Sequence, residues 1–305
     1  MGINGPLFYY FLPVFVVMIA IEIRVGKKRG LTLYSKDETL ASIAIGVVQR
    51  LIGLVKLSLT GLLAVIVYDN RLYTMPLDDW RVFALLFVGV EFTYYWYHRL
   101  SHEVRWFWAT HAVHHSIEEM NILGSYRLGW TSKLSMAYLV NLPLMWIGFS
   151  PASVATMLAL NLFYQSWLHT NLIGKLGVLE GVLNTPSAHR VHHAKNADYL
   201  DRNHGGVTMI FDRLFGTYVE EREDEPVQYG LVKAIGSKNP VTIAFHEWAR
   251  MIDDLKARHP KHWPATMFGP PGWAPEGKGV TSKTLRAQYR AQQARTDGAL
   301  AVPAE

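Results

Sequence analysis

The sequence predicts an all-α integral membrane protein, with about four transmembrane spans or hairpins and a cytoplasmic helical cap. Three observations predict it. Half of the 305 residues are hydrophobic, and they gather into long apolar runs at residues 7–23, 40–68, 82–97 and 134–168. Basic residues flank these runs instead of forming a block of their own. Histidines then cluster at helical spacing just beyond an apolar run, as His98 and His102, as His111, His114 and His115, and again as His189, His192 and His193. Residues three or four apart share a helix face, so each cluster can meet one partner, and three clusters suggest more than one metal ion. A mean hydropathy of +0.08 is ambiguous by itself; the distribution along the chain resolves it.

The first run carries one late charge, Glu22, and is followed by Arg24, Lys27, Lys28 and Arg29. A secretory signal places its basic residues first, so residues 7–23 read as a retained span whose basic flank stays in the cytoplasm. The second run is long and interrupted by Arg50 and Lys56. A spanning helix needs about 20 residues, which leaves open one tilted span or a span preceded by an interfacial turn. The third run leads directly into His98 and returns the chain to the cytoplasmic side. The fourth is broken at Gly148, Phe149, Ser150 and Pro151. It is too long for one span and short for two, so a re-entrant hairpin with both ends on the histidine side fits its length. The expected protein is multi-pass, with its histidines at the cytoplasmic membrane surface.

Beyond the third cluster the chain turns polar. FDRLFGTY, residues 211–218, reads as a short ordered turn under the site, and the acidic run 220–225 as a solvated loop. Asn239 and Pro240 read as an N-cap and first-turn proline. The helix they start places Ile243, Ala244, Trp248, Met251, Ile252 and Leu255 on one face. Residues 281–295 form a basic helical tail, read mainly as solvated or lipid-facing. The expected organisation is membrane spans over 1–80, a catalytic region over 81–220, a cytoplasmic helical segment over 221–263, and a linker with basic tail over 264–305. The chain has no cysteine, which excludes disulfides, iron–sulfur clusters and thiolate sites, so a metal must be held by nitrogen and oxygen. The net charge of +5 sits beside apolar runs and in the tail, which suits an anionic lipid surface and not nucleic acid.

H-x-x-x-H, H-x-x-H-H and H-x-x-H-H, in that order and set against apolar spans, resemble the fatty acid hydroxylase and sterol desaturase superfamily of membrane di-iron oxygenases. The resemblance covers residues 91–218. Within it YYWYHRLSHE, THAVHHSIEEMN, NTPSAHRVHH and FDRLFGTY look closest to the alkylglycerol monooxygenase-like branch, which cleaves ether lipids. The resemblance implies a hydroxylase acting on a lipid or sterol-like substrate with O2 and an external reductant. Desaturation begins with the same hydrogen abstraction and stays open as an alternative. Two Fe ions are implied, and zinc can occupy such sites in a purified sample. The external electron donor would be tetrahydrobiopterin, cytochrome b5 or a ferredoxin-type protein. A metal transporter is disfavoured, because transporters place ligands near the bilayer midplane on broken helices, whereas these histidines follow the ends of spans. A non-catalytic lipid-binding protein would be expected to have lost at least one of the eight.

Carried over residue by residue, the resemblance makes His98, His102, His111, His114, His115, His189, His192 and His193 metal ligands, joined by His169 in WLHTN. Some relatives have a further histidine where this chain has Gln165. Neutral imidazoles leave the cations' charge uncompensated, so a carboxylate, a water-derived bridge or a nearby acid is expected as well. Each ligand also needs a partner for its second ring nitrogen. Glu91, two turns before His98, is a candidate for that role, or pairs with Arg50 inside the bundle. Glu103 resembles an acid of the ether-lipid branch that orients a ligand or binds a cofactor; otherwise it pairs with Arg99 on a solvated face. Asn121, with Arg127, is a weaker candidate, or a turn former. His204, His246, His259 and His262 read as interfacial residues.

Overall fold

The computed structural model describes residues 6–54 and 59–300, with side chains described for 10–54 and 59–296; Lys56 lies outside the described residues. The chain opens with α1 (Pro6–Lys28), α2 (Lys36–Leu54) and α3 (Leu59–Asp69). The 24-residue α4 (Trp80–Glu103) follows, about 36 Å long at 1.5 Å per residue. Its start is fixed by Asp79, whose carboxylate accepts the Arg81 N–H at 2.9 Å. One extended residue, Val104, separates it from α5 (Arg105–His115).

The expected break in the fourth apolar run is present. After α6 (Ser132–Ser135) and a 3-10 turn, α7 (Leu142–Ile147) stops at Gly148 and α8 (Pro151–Ser166) begins. Gly148 has φ +138°, and a Cβ there would lie 2.3 Å from the Tyr73 carbonyl oxygen, so only glycine fits. Ser150 caps α8 by accepting the Ser153 N–H, with Pro151 in the first turn. The remaining helices are α9 (Pro186–His192), α10 (Ile210–Leu214), α11 (Pro240–Ala257), α12 (Trp263–Phe268) and α13 (Ser282–Leu300). Isolated bridges occur, but no β-strand is found among the described residues. The protein is all-α.

Two layers position the site. Leu86 and Val90 of α4, Leu144 of α7 and Val154 and Met157 of α8 form one core. Ala41 and Ile45 of α2, Val113 of α5 and Ile243 of α11 form another. Helix α11 is laid on α5 by Trp248 and Met251 against Ala109, with Asn239 accepting the Val241 and Thr242 N–H groups at its start, as its sequence predicts. Outside these cores the first helices expose apolar side chains to the surroundings, among them Val16, Val17 and Ile21 of α1, Val47 and Leu51 of α2, and Leu85 and Val88 of α4. Glu22, the one charge late in the first run, is buried and accepts from Tyr34, Thr170 and the Ile122 N–H. Among the described residues no single helix is long and apolar enough to cross a membrane; α2 and α3 together, bent by 49°, have the length and composition.

Candidate metal centre

The last two turns of α4 present His98 and His102 on one face, α5 presents His111, His114 and His115, and His169 follows the end of α8. Helix α9, capped by Thr185 accepting the Ala188 N–H, presents His189 and His192 and ends at His193. These nine histidines form two groups. His98, His102, His111, His115 and His192 bring ligand atoms within 4.8 Å of one another, and so do His114, His169, His189 and His193. Helical geometry explains the division. Neighbours on a helix point about 100° apart, so His114 and His115 diverge into different groups, as do His192 and His193. The pairs four apart, His111 with His115 and His189 with His193, stay together.

Backbone carbonyls fix several rings. His98 Nδ1 donates to the His204 carbonyl at 2.9 Å, His192 Nδ1 to the Arg202 carbonyl at 2.9 Å, and His169 Nδ1 to the Gln165 carbonyl at 3.0 Å. With the proton held on Nδ1, Nε2 is left as a lone pair. These atoms converge: His98 Nε2 and His115 Nε2 each lie 3.1 Å from His111 Nε2, and His169 Nε2 lies 3.2 Å from His114 Nε2 and 3.0 Å from His189 Nε2. His102 Nε2, His192 Nε2 and both nitrogens of His193 are buried with no hydrogen-bond partner. Each such orphan costs about 1–3 kcal/mol, a cost that a shared cation removes. Burial pushes the His98 imidazole down to about 3 and that of His169 to about 4, so these two are neutral at pH 7, the form that binds metal. The donor set therefore fits two imidazole-ligated transition-metal ions. Neither group contains a carboxylate; Asp201 Oδ1 lies 3.6 Å from His102 Nδ1.

The other sequence-predicted residues stand further out. Glu91 is not paired with Arg50: its carboxylate accepts the Thr208 N–H at 2.7 Å, the Val207 N–H at 3.1 Å, the Thr208 hydroxyl at 3.0 Å and the Asn161 amide at 2.5 Å. It pins the loop whose His204 carbonyl holds His98. Gln165 engages its side chain with Tyr94 and Asn161. Asn121 caps the turn Ile122–Tyr126 and donates to the Leu33 carbonyl at 2.6 Å, while Arg127 forms a buried ion pair with Glu38. Glu103, 40% exposed, pairs with Arg99 at 2.9 Å. From Arg99 hydrogen bonds run inward through the Tyr95 hydroxyl at 3.1 Å, the Thr217 hydroxyl at 3.1 Å and Asp212 at 2.6 Å to the His204 N–H at 2.8 Å.

Two histidines depart from expectation. His204 is fully buried beside the first group, and His246 is buried within α11, bonded to the Ile243 carbonyl at 2.7 Å. His259 is exposed and caps a 3-10 turn, and His262 lies against Trp273. Only the double glycine after His204 marked its setting in the sequence. A Cβ on Gly205 would lie 2.2 Å from the Thr208 carbonyl, and one on Gly206 2.1 Å from the Asn161 amide, so backbone is packed tightly there.

A cavity of about 560 Å³ reaches His102, His115, His192 and His193. Arg105, Trp108, Asp201, Lys233, Arg250 and Leu285 line its walls. Arg105 is held by Glu247 at 3.0 Å and Asp254 at 2.6 Å. The tail does not stand off as a solvated or lipid-facing segment. Arg290 pairs with Asp198 at 3.0 Å and Tyr289 donates to Glu225 at 3.1 Å, which seats α13 on the loop after the third cluster. The acidic run is correspondingly engaged, with Glu221 pairing to Arg190 at 2.6 Å.

Residues 83–217 match the family model for fatty acid hydroxylase. The chain is similar to alkylglycerol monooxygenase of Homo sapiens, 36% identical over 278 residues that cover 86% of this chain and 59% of that protein. It is likewise similar to alkylglycerol monooxygenase of Danio rerio, 34% identical over 279 residues covering 86% and 59%. An ornithine lipid hydroxylase of Rhizobium tropici is 31% identical over 145 residues, 46% of this chain and 44% of that protein. The chain thus spans about six-tenths of the length of the first of these relatives. No solved structure matches it. The family match covers α4 to α10 and all nine histidines of the two groups, so residues 83–217 form a fatty acid hydroxylase region.

Proposed function

We propose that this protein is a membrane-bound di-iron oxygenase that hydroxylates a lipid, using O2 and an external reductant. The observation that carries the reading is the convergence of nine histidines, eight buried and His111 half-buried, into two groups, with ring nitrogens of His102, His192 and His193 left without a partner. The two irons, when bound, supply the O2-derived oxidant that an unactivated C–H bond requires. The protein's part is to hold and shield them. His98, His102, His111, His115 and His192 would hold one ion, and His114, His169, His189 and His193 the other. The carbonyls of Gln165, Arg202 and His204 fix which nitrogen carries the proton in three of these rings, an orienting role that commonly decides metal affinity.

The membrane reading rests on the apolar exteriors of α1, α2 and α4, on the bent pair α2 and α3, and on the basic flank Lys27 and Lys28, which by the positive-inside rule puts the histidine end on the cytoplasmic side. The substrate is a lipid in this reading because the relatives named above act on alkylglycerols and ornithine lipids. Its chain would approach from the apolar side. The cavity lies on the opposite, polar side, lined by segments outside the apolar runs, and is suited to electron delivery by a reduced pterin or a small donor protein. Glu91 would act as a positioning residue for His98 through the 203–208 loop, and Glu103 through Arg99. The test is to supply the purified protein with ether lipids, ornithine lipids, sterols and fatty acyl chains together with O2 and each class of donor. A product that gains one oxygen atom from O2 supports hydroxylation. Loss of two hydrogens without oxygen gain would make the enzyme a desaturase, and no conversion by the metal-loaded protein under any combination would defeat the reading.

A further inference from the structure

We propose that His204 is a tenth nitrogen donor, completing the first metal position beside His98, His102 and His192; the inference rests on the di-iron reading. The side chain is completely buried, and both ring nitrogens lack a hydrogen-bond partner, a condition that only His193 shares among the described histidines. Burying an imidazole unsatisfied on both sides is costly, and no water-exposed edge relieves it. Its ring centre lies 5.1 Å from that of His102, 5.7 Å from His98 and 5.8 Å from His192. Within the group of five, ring centres stand between 4.3 Å, for His98 and His192, and 6.4 Å, for His111 and His192. Its distances to these three rings thus match those between rings of the group. It belongs to neither set of ligand atoms lying within 4.8 Å of one another, so it stands at the rim of the first group.

The backbone around it is built for a fixed position. Asp212 accepts the N–H groups of His204 at 2.8 Å and Gly205 at 2.7 Å, and the His204 carbonyl accepts from His98. Asn203 adopts a left-handed φ of 56° and ties its amide to the Ala188 and Val219 carbonyls at 2.9 and 2.8 Å. The Asp201 carbonyl lies toward the His204 ring without completing a hydrogen bond. At His98, His169 and His192 a carbonyl takes one ring nitrogen, whereas both nitrogens of His204 remain to be satisfied. None of the clamps on the loop uses the His204 side chain, so removing the imidazole leaves them intact. With His204 the first position would be offered six imidazoles, against four at the second.

The experiment is metal analysis and visible spectroscopy of the cobalt(II)-loaded full chain, comparing wild type, His204→Leu and His204→Gln. Wild type must first bind two metals per chain; failure there defeats the di-iron reading itself, whatever His204 does. Given two, His204→Leu is expected to weaken one of them by about tenfold or more in chelator competition, the scale of losing a group that orients or binds the ion. Its cobalt absorption should strengthen as one ion drops from six ligands to five, and added imidazole should reverse the change. Should His204→Leu fail to fold, His204→Gln, which keeps a polar group in the niche, carries the same expectation. Two metals held with wild-type affinity and an unchanged cobalt spectrum in the folded variant would overturn the proposal.

Discussion

The two histidine groups are built from the same residue type and share two helices, yet their surroundings differ. The first is assembled by α4, α5 and α9, and leans on a loop: His98 and His192 hang from the carbonyls of His204 and Arg202. Three of its members border the cavity, against one of the second group. The second group is tied to α8 through His169 and Gln165, next to the core that packs against the apolar helices. The difference teaches a division of labour. In the proposed reading the first group faces the polar side, from which electrons would arrive, and the second the side from which a lipid chain would enter. Because α5 and α9 each contribute to both, neither group can move without the other.

The largest expected effects come from breaking one group at a time. His111→Ala or His192→Ala should reduce turnover to background while the protein stays folded in detergent, and the metal lost should be that of the first group; full activity in either would defeat the ligand assignment. A second-group counterpart, His189→Ala, should remove the other ion. Glu91→Gln comes next. The amide replaces one accepting oxygen with a donor, leaving the Val207 or Thr208 N–H without its partner at a cost of about 1–3 kcal/mol. The loop beneath His98 then loosens, so chelators should strip the first ion more easily and leave the second unaffected. Equal weakening of both ions would show that Glu91 supports the fold in general, with no particular hold on the first group.

Glu103→Gln should be milder for the protein and informative for catalysis. An exposed pair of this kind contributes about 0–1 kcal/mol to stability, so melting should hardly change and both metals should stay. The rate should still fall about tenfold to a hundredfold, the scale of a misplaced site, through Arg99, Tyr95, Thr217 and Asp212. An unchanged rate would return Glu103 to the surface-charge reading. The smallest effect expected is at His246, remote from both groups. Burial lowers it from 6.5 to about 4, so the unfolded chain binds a proton that the folded chain refuses between those values. Stability should therefore be independent of this group above about pH 6.5 and decline as pH falls toward 4. In His246→Gln that part of the decline should be missing from acid-unfolding curves.

Much of the site was legible because helical spacing is a local property. Eight histidines of the two groups were identifiable from their clusters, and His169 from the family resemblance, which puts a histidine after the last apolar run. Their partition was not legible, since which of His114 and His115 meets which ion depends on how α5 is rotated against α4 and α9. Glu91 was expected near His98 by counting turns, but the Val207 and Thr208 groups it accepts from lie more than a hundred residues away in a loop with no periodicity. His204 reads as an interfacial residue for the same reason: its position is set by a left-handed Asn203 and two glycines, and one histidine in a loop repeats nothing. In the fold, the break at Gly148 and the cap at Asn239 were readable because glycine, proline and asparagine act through their own backbone. The seating of α13 was not, because the ion pair from Arg290 to Asp198 spans 92 residues and a basic tail looks alike whether solvated or docked.

Metal stoichiometry tests the central claim most directly. The purified protein would be loaded with iron and analysed beside His115→Ala and His114→Ala, adjacent residues assigned to opposite ions. The account predicts about two irons per chain in wild type and one in each variant, with different spectra for the ion that remains. A single ion in wild type, or the same ion lost from both variants, would contradict it.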